Sequence, residues 1–344
     1  MLESIIKTGR KALYIAEIGL NHNGDAEMAR SMVDAAAAAG ADMVKFQTFV
    51  PGLMSSVYTA DLMSSGREWR PDMSLIDFFR TFVFDRGQYR ELMGAAAARG
   101  MAFFSSVFDL ESLTLLEELG VALYKLASSE VTNHPLIAGV ADTGKPVILS
   151  TGIATGDEIS RAVDLFRGRS GAELILMHCV SLYPTMPEQV NMRRLPALRE
   201  RFGLEVGFSD HTRETAAPVL AAGFGARIFE KHFTIDRNYD CPDKDISCTP
   251  DEFAAMVASV ESAIAMIGTG EVSYCEAEAG VARAARRSLF ARRSIPRGKR
   301  IDADDLVALR PGVGMPVYES DTVIGRTSRV DIPENYLIRR EYFD

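Results

Sequence analysis

The chain has 344 residues, 47% of them hydrophobic and 25% charged, which suits one large globular domain with a small companion. A net charge of −9 argues against nucleic acid or an anionic membrane surface as partner, and no apolar run is long enough for a membrane span. The N-terminus lacks the charged, apolar, small order of a signal peptide, so a cytoplasmic protein is expected.

Over residues 1–270, short β-rich runs alternate with amphipathic helical runs. Eight strands are predicted: ALYIAEIG (12–19), DMVKFQTF (42–49), MAFFSSVF (101–108), ALYKLAS (122–128), PVILSTG (146–152), LILMHCV (174–180), EVGFSDH (205–211) and ARIFEKHF (226–233). Helical stretches such as 25–40 and 156–167 separate them, and Gly40, Gly100, Gly120, Gly144 and Gly223 read as helix C-terminal caps. Eight strand–helix units predict a (β/α)₈ TIM barrel, and the lack of a GxGxxG turn disfavours a doubly wound open sheet. Residues 50–85, with MSSVYTADLMSSGREWRPDMSL (54–75), form an excursion long enough to be a lid or binding loop. After residue 270 the pattern changes. Residues 271–285, rich in Glu, Ala and Arg, read as a linker, and 286–344 as a small β-rich domain in which IPRGKRI and IPENYLI repeat one plan. From Arg283 to Arg300 stand eight basic residues and no acidic one. A solvated edge, an anionic ligand or a partner subunit would each explain that run. No aromatic stacking pattern marks it for nucleic acid.

Barrel enzymes gather their chemistry at the C-terminal ends of the strands. The polar residues here do lie late in their strands, namely Glu17, Lys45, Gln47, Ser105, Lys125, Ser128, Ser150, His178, Ser209, His211, Glu230 and His232, whereas early positions are almost all apolar. Side-chain alternation puts Glu230 and His232 on one face of FEKHF with Lys231 on the other, and Ser209 with His211 on one face of FSDHT. Neighbouring strands about 4.8 Å apart would present the two imidazoles side by side. Two histidines with no third protein ligand suit a catalytic rather than a structural metal. Nitrogen and oxygen donors favour Mn²⁺, Fe²⁺, Co²⁺ or Zn²⁺ over Ca²⁺. Lys45 and Lys125, inward in apolar strands, are expected to face one phosphorylated or carboxylated substrate, with strand-end serines adding hydroxyls. A Schiff base on one lysine, or an internal ion pair with Glu17 or Glu230, is the alternative. Glu17 is the candidate for general acid–base work. The four cysteines (Cys179, Cys241, Cys248, Cys275) show no CxxC pair or zinc-ribbon spacing and are expected as reduced thiols.

The stretches IAEIGLNHNGD, VKFQTF, YKLASSEVTNHPLI, TGKPVILSTGIAT, HCVSLYPT, VGFSDHT, EKHFTIDR and RPGVG, taken in order, resemble the N-acetylneuraminate (sialic acid) synthase family over nearly the whole chain. The resemblance implies a barrel followed by an antifreeze-like (SAF) domain. It implies condensation of phosphoenolpyruvate with an open-chain N-acetylhexosamine (N-acetylmannosamine or a modified relative) and water, giving a nine-carbon 2-keto sugar acid and phosphate. It implies a divalent metal on His211 and His232, Mn²⁺ first, with Mg²⁺ or Co²⁺ as alternatives. Lys45, Lys125, Ser128, Ser150 and Ser209, with Ser106, match positions around phosphoenolpyruvate. Glu17, Gln47, Tyr183 and Asp243 match positions around the sugar, and Arg310 of RPGVG matches an arginine that reaches the N-acetyl group. A domain-swapped homodimer is implied, with the small domain over the partner's barrel mouth. A linker of about 16 residues spans at most about 55 Å, which makes reaching its own mouth around the outer helices a strained path. Cys241 stands where many members have glycine, which would set a side chain beside Asp243 in the sugar pocket, and Ser181 lies where some have asparagine. Legionaminic and pseudaminic acid synthases share the pattern and use other acetamido sugars. The rival readings are a metal-dependent sugar-phosphate aldolase or isomerase and a non-enzymatic carbohydrate- or ice-binding protein.

Overall fold

The computed structural model describes residues 12–56 and 73–343. The chain divides into two compact units, Met1–Gly268 and Thr269–Asp344. In the first, eight parallel strands close into a barrel in sequence order. They are β1 (Leu13–Gly19), β2 (Met43–Thr48), β3 (Ala102–Val107), β4 (Tyr124–Leu126), β5 (Val147–Ser150), β6 (Leu174–His178), β7 (Val206–Asp210) and β8 (Ile228–His232). Each lies within two residues of its predicted ends.

Strand alternation builds two cores from the same strands. Tyr14, Ala16, Val44, Phe103, Tyr124, Leu149, Leu176, Phe208 and Phe229 pack outward in the core shared with the helices. Ile15, Met43, Phe104, Leu123, Ile148, Ile175, Met177 and Ile228 form a separate cluster inside the barrel. Burial of each such side chain contributes roughly 1.5–3 kcal/mol. At Gly207 a β-carbon would stand 2.5 Å from Met177 Sδ and 2.7 Å from the Ile228 carbonyl, so the interior has no room for one there.

The helices start where short polar side chains cap them. Asp25 accepts from the amides of Glu27 and Met28, and Asp109 from that of Ser112, while Thr155 and Glu158 form a reciprocal box. Gly40, Gly100, Gly120 and Gly144 take the predicted left-handed conformation. Gly223 does not. Its helix (Ala216–Gly223) runs through it, and the left-handed residue is Gly225, φ 93°. Residues 57–72 of the predicted excursion lie outside the described residues, and its flanks are two short helices, Pro51–Met54 and Leu75–Arg80.

The second unit holds an antiparallel pair, β9 (Ser288–Ala291) with β10 (Leu306–Leu309), and several isolated bridges. The sequence repeat is a structural one. Ile295 bridges to Ile332, and Ile295, Ile301, Ile332 and Ile338 all enter one core. Gly298 and Asn335, fourth in their copies, both have positive φ, 86° and 64°. In each copy the fifth residue's amide donates to the proline carbonyl, Lys299 to Pro296 at 3.1 Å and Tyr336 to Pro333 at 3.2 Å. The expected linker is not featureless. It contains a helix, Ala279–Ala285, and the Arg283 carbonyl accepts from the Gly312 amide at 2.8 Å. Among the described residues no helix is long and apolar enough to cross a membrane.

Candidate active site

Two residues beyond the apolar interior cluster, the barrel lining becomes polar. Glu17, Lys45, Ser106, Lys125, Ser150, Ser209 and Glu230 follow Ile15, Met43, Phe104, Leu123, Ile148, Gly207 and Ile228 on the same strand faces. A cavity lies over them, open at the mouth. Twelve of the fourteen predicted site residues line it: Glu17, Lys45, Gln47, Ser106, Lys125, Ser128, Ser150, Ser181, Tyr183, Ser209, His211 and His232. Two roomier hollows carry no comparable group of ionisable side chains, so chemistry rather than volume marks the site.

The floor of the cavity is an ionic lattice. Lys45 Nζ lies 2.8 Å from Glu17 Oε2 and donates to Ser106 Oγ at 3.1 Å. Lys125 donates to Ser150 Oγ at 2.6 Å. Glu230 Oε1 sits between the lysines, 3.7 Å from Lys45 and 3.8 Å from Lys125, and accepts from Ser209 Oγ at 2.9 Å. Gln47 Nε2 donates to Glu17 Oε1 at 3.0 Å. The internal ion-pair alternative is therefore realised, and it engages the lysines expected to meet an anion.

These contacts push the two carboxyls apart. Burial raises Glu17, and Lys45 does not fully offset it. Burial acts the same way on Glu230, but Lys125 and Lys45 outweigh it and bring the group down to about 2. Desolvation lowers Lys125, while in Lys45 the same penalty is outweighed by Glu17 and Glu230, and its value rises. Glu230 Oε2 is buried without a hydrogen bond among the described residues, whereas Glu17 Oε2 faces Lys45.

The histidines stand on adjacent strand ends as predicted, with ring centroids 5.4 Å apart. His211 Nδ1 lies 2.6 Å from the Val180 carbonyl, which assigns its proton to Nδ1 and leaves the Nε2 lone pair free. Burial, aided by His232, brings His211 down to about 3, so its ring is neutral. For His232 burial is outweighed by Asp243, and the value rises. Asp243 Oδ2 is 3.2 Å from His232 Nδ1, near enough to attract though outside hydrogen-bond geometry. Tyr183 stacks on His211 at 4.3 Å and meets His232 edge-on at 5.7 Å. The free Nε2 of neutral His211 and the adjacent His232 ring offer two nitrogens to a divalent cation, whose remaining positions would be left to water or substrate. Among the described residues no cluster of three or more His, Cys, Asp or Glu is placed to hold a metal by itself.

Ser128 lies just past its strand, opening a 3₁₀ turn (Ser128–Thr132), because β4 has only three residues. Its hydroxyl is 3.1 Å from Ser181 Oγ. A β-carbon on Gly152 would stand 2.4 Å from Ser181 Oγ and 3.2 Å from Ser128 Oγ, so glycine leaves that pair accessible. Cys241 corrects an expectation. It is fully buried, its Sγ packs 3.7 Å from Thr234 Oγ1, and it does not line the cavity. Arg310 belongs to the second unit, where it is exposed and makes no hydrogen bond or ion pair among the described residues.

Sequence reasoning missed Asn21 and Cys179. Fully buried Asn21 donates to the Phe233 carbonyl at 2.9 Å and Ser247 Oγ at 2.8 Å, and accepts from the Asp243 amide at 3.0 Å. It therefore shapes the loop that presents Asp243. Its signal was its place in GLNHNG, straight after the irregular Glu17–Gly19 end of β1. Cys179 lines the cavity, and nothing but strand parity pointed to it.

A barrel whose lining turns from apolar to ionic within one pleat, at the strand C-termini, defines an enzyme of the (β/α)₈ class. The particular family follows from likeness to known proteins. The chain belongs to the NeuB family, whose model matches residues 32–272, and a SAF domain model matches residues 286–341. The N,N'-diacetyllegionaminic acid synthase of Legionella pneumophila is 35% identical, the alignment covering 90% of this chain and 88% of that one. The pseudaminic acid synthase of Campylobacter jejuni is 33% identical over 94% of each chain. The crystal structure of N-acetylneuraminic acid (sialic acid) synthetase from Leptospira borgpetersenii superposes with a TM-score of 0.70 at 32% identity, covering 79% of this chain and 90% of that one. The chain is thus a sialic acid synthase-type enzyme.

Proposed function

We propose that the enzyme condenses phosphoenolpyruvate with an open-chain acetamido hexose and water, releasing phosphate and a nine-carbon 2-keto sugar acid. N-acetylmannosamine or a modified relative is the sugar. The observation that supports this best is the separation of the two carboxyls around two inward lysines, because the reaction needs both an anion cradle and a proton carrier. Lys45 and Lys125 hold the phosphate and carboxylate of phosphoenolpyruvate, with hydroxyls from Ser106, Ser128, Ser150, Ser181 and Ser209 around them. Glu230, ionised and held by Ser209, keeps the lysines charged and in place. Gln47, Tyr183 and Asp243 orient the sugar, aldehyde inward. His211 and His232 would hold a divalent cation, Mn²⁺ first with Mg²⁺ or Co²⁺ as alternatives, which supplies Lewis acidity toward the aldehyde oxygen. C3 of phosphoenolpyruvate bonds to the aldehyde carbon, whose oxygen takes the proton of Glu17, and C2 becomes an oxocarbenium centre. Water adds at C2 and passes its proton to Glu17. The C2–O bond to phosphate then breaks as the C2 hydroxyl gives its proton to the departing phosphate and the ketone forms.

The test is a panel of acetamido hexoses incubated with phosphoenolpyruvate and Mn²⁺, with products identified by mass. One sugar should give phosphate and keto acid in equal amounts, and a chelator should stop both. Phosphate release from phosphoenolpyruvate by no sugar on the panel would contradict the reading and favour an aldolase.

Arg310 is proposed to complete the site from a second copy of the chain. Its free guanidinium supports this, as does the exposure of Val272, Tyr274 and Val281 in a single protomer. Arg310→Ala and His211→Ala, each inactive, are unfolded and refolded together. Hybrid dimers should regain part of the activity. A mixture as inactive as its parents would place Arg310 in its own subunit's site.

A further inference from the structure

The strands that carry the two imidazoles also carry an ion pair that this chemistry does not use. On the helix-facing side, β7 presents Val206, Phe208 and then Asp210, and β8 presents Phe229 and Lys231, followed by Phe233. Lys231 and Asp210 are 2% and 1% exposed, so both charges are out of water. Lys231 Nζ donates to Asp210 Oδ2 at 2.8 Å and to the Thr212 carbonyl. Asp210 Oδ1 accepts from the Thr212 amide at 2.9 Å. One ammonium thus fixes the residues on both sides of His211, and its own backbone leads directly into His232.

Cohesion does not explain the pair. Its neighbours on that face are apolar, and a well-packed apolar pair of similar volume would join the strands as well or better. An apolar pair would not give directional bonds to the Thr212 amide and carbonyl, where the chain leaves β7 just after His211. We propose that Lys231, acting through Asp210 and Thr212, is a positioning residue that sets the spacing of the His211 and His232 imidazoles and hence the affinity for a divalent cation. This rests on the two-histidine metal reading above.

Titration of the full chain with Mn²⁺, following the free ion by its electron spin resonance signal, tests both. Wild type, His211→Ala, Lys231→Met and Asp210→Asn are compared, with circular dichroism reporting the folded fraction. Wild type should bind, and His211→Ala should lose the site. Lys231→Met and Asp210→Asn should bind about 10- to 100-fold more weakly, the cost of losing an outer partner of a metal ligand. If the pair is merely structural, the variants melt earlier but the folded fraction keeps the wild-type Kd, and that overturns the proposal. Should Lys231→Met fail to fold, Asp210→Asn decides, since it keeps the side chain's size and one acceptor. Wild type without Mn²⁺ binding, or binding untouched by His211→Ala, overturns the metal reading itself and the positioning claim with it.

Discussion

Two layers of one barrel, a single pleat apart, are equally buried and chemically opposite. Ile15, Met43, Phe104, Leu123 and Ile148 are 0% exposed, and Glu17, Lys45, Ser106, Lys125 and Ser150 only 1–4%. The same strands carry both, so backbone geometry does not separate them. The lower layer fills space and stabilises the fold. The upper layer loses the hydration of four charges and survives only because lysines and carboxylates face one another. Register assists it, since Glu17 stands opposite Lys45 on one side and His232 on the other. The difference teaches that burial is no guide to role in a barrel, whereas position along the strand is.

Substitutions that break this contrast should differ in kind. Glu17→Gln keeps the shape and removes the proposed proton carrier, so kcat in the condensation assay should fall by roughly 10²–10⁴. A fall of less than threefold would transfer the role to another group. One layer down, Ile148→Ala should cost about 2–5 kcal/mol of stability, read by denaturant titration, with the Michaelis constants of the folded enzyme near wild type. Lys125→Ala should cost about 1.5–3 kcal/mol in kcat/KM for phosphoenolpyruvate, and less for the sugar. Borohydride trapping of an imine on either lysine would instead favour Schiff-base chemistry. The smallest effect sharpens the contrast most. The double change Glu17→Met/Lys45→Met extends the apolar layer upward and should leave stability unchanged or raise it by about 1–4 kcal/mol while abolishing activity. A lower melting midpoint than wild type would mean that the ionic layer also stabilises the fold.

Much of this was legible in the sequence. Period-two alternation with late polar residues located all eight strands, the inward lysines and the adjacent histidines, because parity and strand order are local properties. What depended on packing was not. Gly223 and Gly225 look alike as helix stops, and only the helix's path chooses Gly225. Cys241 stands two residues before Asp243 in sequence, yet its thiol packs on Thr234, a turn decided by the loop after β8. Asn21 acts through contacts more than two hundred positions away, beyond the reach of any local pattern. The ion pairing of both lysines with Glu230 needed three strands brought to one level.

In the proposed reaction this upper layer adds water to C2 and expels phosphate by breaking a carbon–oxygen bond. Running the condensation in ¹⁸O-labelled water and weighing the released phosphate tests it directly. The expected result is sugar-dependent phosphate carrying no solvent oxygen. Phosphate carrying one solvent oxygen would show water attacking phosphorus, and would contradict the roles given to Glu17 and the two lysines.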